Sequence, residues 1–144
     1  IKDNSIIISR AIDMKPTRVK TLGYPGFPTD LQQPLTSLLV HCNGVSTLEE
    51  TIYENRFKNV DYLNKMGANI DIVNNQKIKI TGPTKLIGTE VVATDLRAGA
   101  CMVLAGLAAT GKTVIKDVDH ILRGYENIII KLTNVGAKIS LEEK

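Results

Sequence analysis

The sequence predicts an α/β fold built from two copies of one βαβαββ unit. The first observation is that Thr-Asp-Leu occurs at residues 29–31 and again at 94–96, each time at the head of an apolar run. The second is that each run has the period of an amphipathic helix and is followed by a short β-branched stretch, VSTL at 45–48 or TVIKDV at 113–118. Matching aspartates, arginines and glycines keep a spacing of 65 to 69 positions, which favours a duplicated supersecondary unit.

The first unit is predicted to cover residues 17–82. Its elements in order are a strand at 17–22, a helix after Asp30, a strand at 45–48, a helix through Val60, Leu63 and Met66, and the strands ANIDI and KIKITG joined by a turn at 74–76. Asn43-Gly44 and Gly67 are expected to end the two helices, because glycine after a helix commonly adopts the left-handed conformation. The closing strands form an antiparallel hairpin, whereas the helical crossovers require parallel pairing elsewhere.

The second unit is predicted to cover residues 83–144 and to lack its last strand. Its elements are a helix from Asp95 to residue 108, the strand at 113–118, a helix through Ile128, Ile129 and Leu132 that ends at Gly136, and the strand AKISL at 137–141. Residues 1–16 contain SIIIS, which we expect to be the trailing strand of a preceding unit. The chain then amounts to one incomplete domain.

Composition narrows the classes of function. With 144 residues and 43% hydrophobic content, the chain suits one packed domain, and no apolar run approaches the length of a membrane span. We therefore expect a soluble, cytoplasmic protein. Cys42 and Cys101 lie in apolar helical patterns without metal-ligand spacing, so we expect buried, reduced thiols and no metal site. The net charge of +3 suits an anionic ligand, but two Phe, four Tyr and no Trp offer little surface for stacking nucleic acid bases.

One apparent nucleotide motif is rejected. Residues 106–113 read GLAATGKT and match the P-loop pattern. A P-loop needs a strand before it and a helix after it, so that the helix N-terminus faces the phosphates. Here the predicted helix precedes the loop and the predicted strand follows it. Gly111 is therefore interpreted as a helix-end residue and Lys112 as an exposed charge.

Charged residues gather at the predicted junctions between strands and helices, where ligands of α/β proteins collect. Asp30 and Asp95 begin the first helix of each unit, and Arg97 follows in the second. Arg56 and Arg123 are expected at matching strand-to-helix junctions. Arginine suits phosphate or carboxylate, because its planar fork donates two parallel hydrogen bonds. We expect both aspartates to cap their helices and also to face a shared cleft. The structural alternative is that capping is their whole role and that each arginine pairs with a nearby acid, as Arg56 would with Glu54.

Three further features allow both interpretations. The loop GYPGFPT at 23–29 is either a rigid, shaped entry to the site or a turn that packs Tyr24 and Phe27 onto the sheet. His120 could hydrogen-bond a ligand, whereas His41 lies within the first helix. For both histidines a structural role is favoured, because no partner stands at metal-ligand spacing.

Several blocks carry a family resemblance. PGFPTDLQQPLT, ETIYENRF, MGANIDI, VVATDLRAGACMVLAGLAATGKTVI and HILRGYENIIIKL together resemble the C-terminal part of the bacterial UDP-N-acetylglucosamine 1-carboxyvinyltransferases, in the enolpyruvyl transferase (EPSP synthase-like) family. The resemblance implies an inside-out α/β barrel with three βαβαββ units in each of two domains, of which this chain supplies about two units. It also implies transfer of enolpyruvate from phosphoenolpyruvate to the 3-hydroxyl of UDP-N-acetylglucosamine with release of phosphate, in the first committed step of peptidoglycan synthesis, without a cofactor.

The resemblance also assigns residues by matching motif. Those placed at the substrates are Asp30, Ile52, Tyr53, Arg56, Asp95, Arg97 and Arg123. Asp30 would take the hydroxyl proton, with Arg97 and Arg123 as catalytic cations and Ile52 and Tyr53 beside the UDP-sugar. The family's proton donor is a cysteine on a mobile loop of the other domain, the target of fosfomycin, and neither cysteine of this chain lies in such a loop. We therefore expect the chain alone to be inactive without the missing N-terminal part.

Two alternatives remain open at this point. The chain could be a stand-alone UDP-sugar binding or interaction module without catalysis, or it could resemble an RNA 3′-phosphate cyclase, whose fold also uses such repeats. We expect neither nucleic acid nor a membrane as a partner. An incomplete domain exposes a sheet edge and an apolar helix face, so self-association is expected.

Overall fold

The computed structural model describes residues 4–9 and 11–142 and contains both strands and helices. In the first half they are β1 (Arg18–Lys20), a 3₁₀ turn (Thr29–Leu31), α1 (Gln32–Leu39), β2 (Gly44–Glu49), α2 (Asn59–Lys65), β3 (Ile70–Asn74) and β4 (Lys77–Gly82). In the second half they are β5 (Glu90–Val92), α3 (Leu96–Ala108), β6 (Val114–Lys116), α4 (Asp119–Gly124) and α5 (Ile128–Asn134). All the strands and helices predicted for residues 17–82 are present.

The strands form two sheets. The larger has the order β1-β2-β4-β3, in which β1 and β2 are parallel and the other neighbours are antiparallel. The smaller consists of β5 and β6 in parallel. The predicted hairpin between β3 and β4 and the predicted parallel crossovers are confirmed. In both halves of the chain, the strand before Thr-Asp-Leu lies parallel to the strand that follows the helix.

Two predicted strands are absent, and one helix was not predicted. Residues 6–9 and residues 137–141 lie outside any strand, so both predictions were wrong. A strand needs a neighbour for its backbone hydrogen bonds, and the side chains of Ile7 and Ile8 stand exposed instead. The short helix α4 lies between the predicted strand at 113–118 and the predicted helix through Ile128, where no element was predicted. Residues 1–3, part of the segment assigned to a preceding unit, lie outside the described residues.

The hydrophobic core lies between the larger sheet and the helices α1, α2 and α3. Its largest fully buried apolar side chains are Leu48, Leu63, Met66, Ile78, Ile80, Leu86 and Met102. A smaller cluster around Ile121 joins α4 to α3. Among the described residues, α5 has no buried side chain. An open groove lined by parts of α3, β6, α4, α5 and residues 138–142 therefore borders the second half of the chain.

Helices α1 and α3 pack side by side and bring their N-termini to the same end of the molecule. Cys101 of α3 accepts a hydrogen bond from the side chain of Asn59 in α2 and contacts the backbone of Ser37 in α1. Ser37 lies seven residues after Asp30 and Cys101 six residues after Asp95, so the two helices run in step. The two Thr-Asp-Leu segments consequently meet.

Several local predictions are confirmed by the described structure. Gly67 and Gly136 follow the ends of α2 and α5 with φ of 98° and 93°, the left-handed conformation expected after a helix. The segment GLAATGKT comprises the end of α3 and the loop before β6, which is the wrong order for a P-loop. Cys42 and Cys101 are buried, free thiols. In the described part of the chain, no helix is long and apolar enough to cross a membrane.

Candidate functional site

Asp30 and Arg97 form the centre of the site. Arg97 Nε donates a hydrogen bond of 2.6 Å to Asp30 Oδ1. Asp30 lies in the 3₁₀ turn before α1, and Arg97 lies in the first turn of α3, so the parallel packing of these helices creates the contact. The hydrogen bond with Asp30 raises the pKa of the Arg97 guanidinium, although partial burial opposes the rise. The Asp30 side chain keeps 66% of its surface exposed, so solvent reaches the carboxylate.

Arg56 adds a second cation to the same carboxylate oxygen. Its Nη1 lies 3.7 Å from Asp30 Oδ1, too far for a hydrogen bond, and that nitrogen is buried without a hydrogen-bond partner among the described residues. The guanidinium carbon stands 4.1 Å from the centroid of the Tyr53 ring, in the range of a cation–π contact. A buried donor without a partner is costly, so this nitrogen suits an anionic ligand that would supply the acceptor.

The two aspartates of the repeated Thr-Asp-Leu do different things. Asp95 is the N-cap of α3, and its Oδ1 accepts hydrogen bonds of 2.9 Å from the backbone N–H groups of Arg97 and Ala98. Asp30 makes no capping hydrogen bond, because the 3₁₀ turn moves the start of α1 to Gln32. The expectation that both aspartates cap helices is therefore wrong for Asp30. Both of its arginine contacts use Oδ1, and Oδ2 makes no hydrogen bond to the described residues.

Glu50 is a buried carboxylate directly behind the site. Its oxygens accept hydrogen bonds from the hydroxyl groups of Thr21 and Thr29 and from the backbone N–H groups of Ile52 and Tyr53. Burial acts to raise the pKa of Glu50, but these four hydrogen bonds stabilise the ionised form and bring its pKa below the ordinary value. The carboxylate is therefore charged at neutral pH.

Sequence reasoning missed Glu50, although a signal was present. Ser46, Leu48 and Glu50 alternate along β2 and its end, and all three are fully buried. Side chains two apart in a strand share a face, so the apolar neighbour Leu48 placed Glu50 on the core side. A charged residue on that face is unusual unless it is hydrogen-bonded. Its partners, from three other segments of the chain, could not be read from the pattern.

Arg123 is not brought into this cluster. It lies in the last turn of α4, is exposed, and forms no ion pair with the described residues. Tyr-Glu-Asn occurs at 53–55 and at 125–127, and the asparagine is left-handed in both places, with φ of 56° and 52°. Arg56 follows the first tripeptide, whereas Arg123 precedes the second. The expectation that these arginines occupy matching junctions is therefore wrong.

Arg123 nevertheless lies on an element that touches the site. A methyl group added at Gly124 would meet the Leu96 side chain at 2.3 Å, so α4 ends against the start of α3. Arg97 is the next residue after Leu96. Arg123 is consequently held close to the N-terminus of α3 while its side chain remains in solvent.

The remaining predicted residues surround the cluster. The side chains of Ile52 and Tyr53 are 44% and 51% exposed, and their backbone is fixed by Glu50. Tyr24 of the entry loop is fully exposed and Phe27 half-buried, so the prediction that this loop packs both rings onto the sheet holds at most for Phe27. His120 is exposed on α4, whereas His41 follows α1 and has a buried Nε2 without a partner among the described residues. No group of His, Cys, Asp and Glu in the described part of the chain could hold a metal.

The arrangement can bind and orient a negatively charged ligand beside a carboxylate. Two guanidinium groups face one carboxylate oxygen, and its second oxygen is open to accept a proton or a hydrogen bond. Tyr53 offers an exposed ring edge next to Arg56. Such a cluster fits a reaction in which a hydroxyl group loses a proton next to an anionic partner.

The sequence was compared with protein families and with curated proteins. The family model described as EPSP synthase (3-phosphoshikimate 1-carboxyvinyltransferase) matches residues 1–132. The chain is 50% identical over 141 residues, or 98% of its length, to UDP-N-acetylglucosamine 1-carboxyvinyltransferase 2 of Geobacillus kaustophilus, and 51% identical over 137 residues to the protein of the same name from Bacillus subtilis. It covers 33% and 32% of these relatives. The chain thus spans about a third of the length of the curated relatives it matches.

Solved structures give the same picture of the fold. The enolpyruvyl transferase NikO from Streptomyces tendae superposes with a TM-score of 0.83 at 28% identity, over 90% of this chain and 30% of that chain. EPSP synthase from Acinetobacter baumannii superposes with a TM-score of 0.63 at 19% identity, over 89% of this chain and 29% of that chain, and this second likeness concerns the fold alone.

Proposed function

Since the chain belongs to the EPSP synthase (3-phosphoshikimate 1-carboxyvinyltransferase) family, we propose that it is the C-terminal part of an enolpyruvyl transferase that acts on UDP-N-acetylglucosamine. The observation that carries the proposal is the solvent-accessible carboxylate of Asp30, held by Arg97 and faced by Arg56. The names of the relatives support the substrate. In this proposal the second substrate is phosphoenolpyruvate, and the product feeds peptidoglycan synthesis.

Asp30 would act as the base on the sugar hydroxyl. In the addition step, the oxygen of the 3-hydroxyl forms a bond to the carbon that carries the phosphate, and its proton passes to a carboxylate. Oδ2 of Asp30 is the oxygen available for that proton, because both arginines contact Oδ1. Arg97 thereby fixes the orientation of the carboxylate without occupying the reactive oxygen.

The arginines would balance the charge of phosphoenolpyruvate. The substrate brings a phosphate and a carboxylate, and preorganised cations stabilise the charge that develops before phosphate leaves. Arg56 has a buried donor without a partner. Arg97 uses only its Nε for Asp30, so its two Nη groups would face the substrate. Arg123 would join them from α4 by a change of its exposed side chain, and Ile52 and Tyr53 would line the UDP-sugar.

Neither cysteine of the chain is a suitable acid for the methylene carbon. Cys101 is fully buried between α1, α2 and α3, and burial raises its pKa to about 12. Cys42 is also buried, and burial raises its pKa. Neither thiol can reach a substrate at Asp30, so the proton donor would come from the part of the enzyme that this chain does not cover. Two buried free thiols also agree with a cytoplasmic location, which we include in the proposal.

Phosphate release from phosphoenolpyruvate and UDP-N-acetylglucosamine tests the proposal. The chain is assayed alone, and then with the portion of the Geobacillus kaustophilus relative that it does not cover. We expect release only from the mixture, with the relative's portion alone as the control. Turnover by the chain alone would mean that a proton donor lies within these 144 residues. If the mixture binds UDP-N-acetylglucosamine without releasing phosphate, the chain is a binding module and the proposed activity is wrong.

A further inference from the structure

Glu50 connects three segments of the chain that meet behind the site. It follows the last residue of β2 and is fully buried. Oε1 accepts hydrogen bonds from the Thr21 hydroxyl at 2.9 Å, from the Ile52 N–H at 2.8 Å and from the Tyr53 N–H at 3.1 Å. Oε2 accepts one from the Thr29 hydroxyl at 2.7 Å. One carboxylate thus holds the end of β1, the 3₁₀ turn and the loop after β2.

Asp30 and Arg56 are both tied to this network, each through a neighbouring residue. Thr29 is bonded directly to Glu50 and precedes Asp30 in the 3₁₀ turn. Tyr53 is bonded through its N–H, and its ring lies against the Arg56 guanidinium. The 3.7 Å separation of Arg56 Nη1 from Asp30 Oδ1 is therefore set from both sides by Glu50.

A buried glutamate suits the task of holding several hydrogen-bond donors. Its desolvation would be costly at a position without that task. Four donors converge on Glu50, and an ionised carboxylate is the side chain that accepts from all of them. Glutamine would remove the negative charge, and its NH₂ group would face Thr29, whose hydroxyl would have to reverse its role from donor to acceptor. A purely structural position on the core face of β2 would be filled at lower desolvation cost by an apolar side chain.

We propose that Glu50 is a positioning residue for the transferase reaction, which acts through Thr29 and Tyr53 to hold Asp30 and Arg56 in their productive geometry. The inference rests on the proposed function. Catalytic groups lose efficiency steeply when they are misplaced, and a shift of about 1 Å can cost roughly 100-fold in rate. Loss of the Glu50 network should therefore lower kcat more than it lowers affinity or stability.

The variants are Glu50→Gln, Thr29→Val and, as a matched control, Thr84→Val. Thr84 also donates one hydroxyl hydrogen bond, to the Val40 carbonyl, but it lies just beyond Gly82, which pairs with Gly44 at the opposite end of β2. In the mixture of this chain with the uncovered portion of the Geobacillus kaustophilus relative, we expect Glu50→Gln and Thr29→Val each to lower kcat about 10-fold to 100-fold. The KM for UDP-N-acetylglucosamine should change much less than kcat, because the interaction that is lost serves the transition state rather than substrate binding. Thr84→Val should keep the kcat of the unmodified chain.

The double variant Glu50→Gln/Thr29→Val separates positioning from direct contact with substrate. If Thr29 acts through Glu50, the kcat of the double variant should be no lower than that of the less active single variant. The reason is that the effects of residues in one network are not additive. Additive losses, or equal kcat for Thr29→Val and Thr84→Val, would overturn the inference.

Amide hydrogen exchange on the chain alone provides a readout that does not need turnover. We expect Glu50→Gln to lower protection at Ile52 and Tyr53, because a neutral amide oxygen is a weaker acceptor than a carboxylate, and Thr84→Val to preserve it. Unchanged protection in Glu50→Gln would overturn the inference even if the mixture is active. Absence of phosphate release from the unmodified mixture would instead overturn the proposed function and, with it, the catalytic role of the network.

Discussion

Arg97 of α3 donates a 2.6 Å hydrogen bond to Asp30 in the turn before α1, although the two residues are 67 positions apart. The side chains are 33% and 66% exposed, and exposed ion pairs contribute only about 0 to 1 kcal/mol to stability. The pair therefore does little to hold the fold together. Its effect is to orient one carboxylate at a surface that carries two arginines.

Asp30→Asn tests the proposed base. An amide cannot take a proton from the sugar hydroxyl. In the mixture of this chain with the uncovered portion of the Geobacillus kaustophilus relative, we therefore expect kcat to fall about 10²-fold to 10⁴-fold. The melting temperature should stay within a few degrees of the unmodified value, since the side chain is largely exposed. Asp71→Asn, an exposed aspartate on β3, is the matched control and should leave kcat unchanged. Equal activity of the two variants would remove Asp30 from the chemistry.

Asp95→Ala tests the capping role of the second aspartate. The change removes the acceptor for the N–H groups of Arg97 and Ala98, and loss of an N-cap typically costs about 1 kcal/mol. Urea unfolding should show this loss, while Asp95→Asn should retain most of the stability because asparagine is also a good N-cap. If Asp95→Asn is fully stable but inactive, Asp95 has a catalytic role in addition to its cap.

The thiol of Cys101 should make stability fall at alkaline pH. Burial raises its pKa from 9.0 to about 12 in the folded chain, so the folded state holds the proton more tightly than the unfolded state. The contribution of the protonated Cys101 thiol to the stability of the folded state is fully present below pH 9 and is lost as the pH rises from there towards 12. We expect the denaturation midpoint of Cys101→Ala to depend less on pH between 9 and 11 than that of the unmodified chain. An equal slope for both would contradict this assignment.

Thiol reagents offer a second test of the buried cysteines. Because only the thiolate reacts and both side chains are buried, we expect no rapid labelling of the folded chain at pH 8. Addition of denaturant should release two reactive thiols. Rapid labelling of one thiol in the folded state would place Cys42 or Cys101 at an accessible surface.

The open groove in the second half predicts self-association of the isolated chain. Leu107 of α3 lines the groove and is 41% exposed. Ile130 of α5 is 60% exposed and directly follows Ile128 and Ile129, which line the groove. Contiguous exposed apolar surface favours association in water. Gel filtration should show species larger than 15.7 kDa, and Ile130→Glu should reduce them. Thr133→Glu changes a polar, exposed position on the same helix and is the control. A compact monomer of the unmodified chain would contradict the prediction.

Helix caps and helix ends could be predicted from the sequence because they depend on residues that are adjacent in the chain. An aspartate before an apolar-periodic run predicts a cap, and Asp95 is one. A glycine after such a run predicts a helix end, and Gly67 and Gly136 have the expected positive φ. The pattern around residues 106–113 predicts a helix followed by a strand, and this order excludes a P-loop.

The sequence-based predictions that were wrong depended on contacts between distant parts of the chain. Asp30 stands in the same tripeptide as Asp95, yet a 3₁₀ turn moves the helix start past it and its carboxylate turns to an arginine from another helix. Residues 6–9 and 137–141 have strand-like composition but no neighbouring strand in the described chain. Residue propensity favours a strand, but the strand forms only where another part of the chain supplies a neighbouring strand for its hydrogen bonds.

By itself, therefore, the sequence determined the alternation of strands and helices, the candidate residues and the family resemblance, because these depend on side-chain periodicity and on short motifs. Only the tertiary structure decided that Asp30 meets Arg97 and Arg56, that Arg123 stays apart, and that Glu50 anchors the loop behind them. These relations depend on how α1, α3 and β2 pack. Such packing sums many weak contacts between residues distant in sequence, so no short stretch of the chain encodes it.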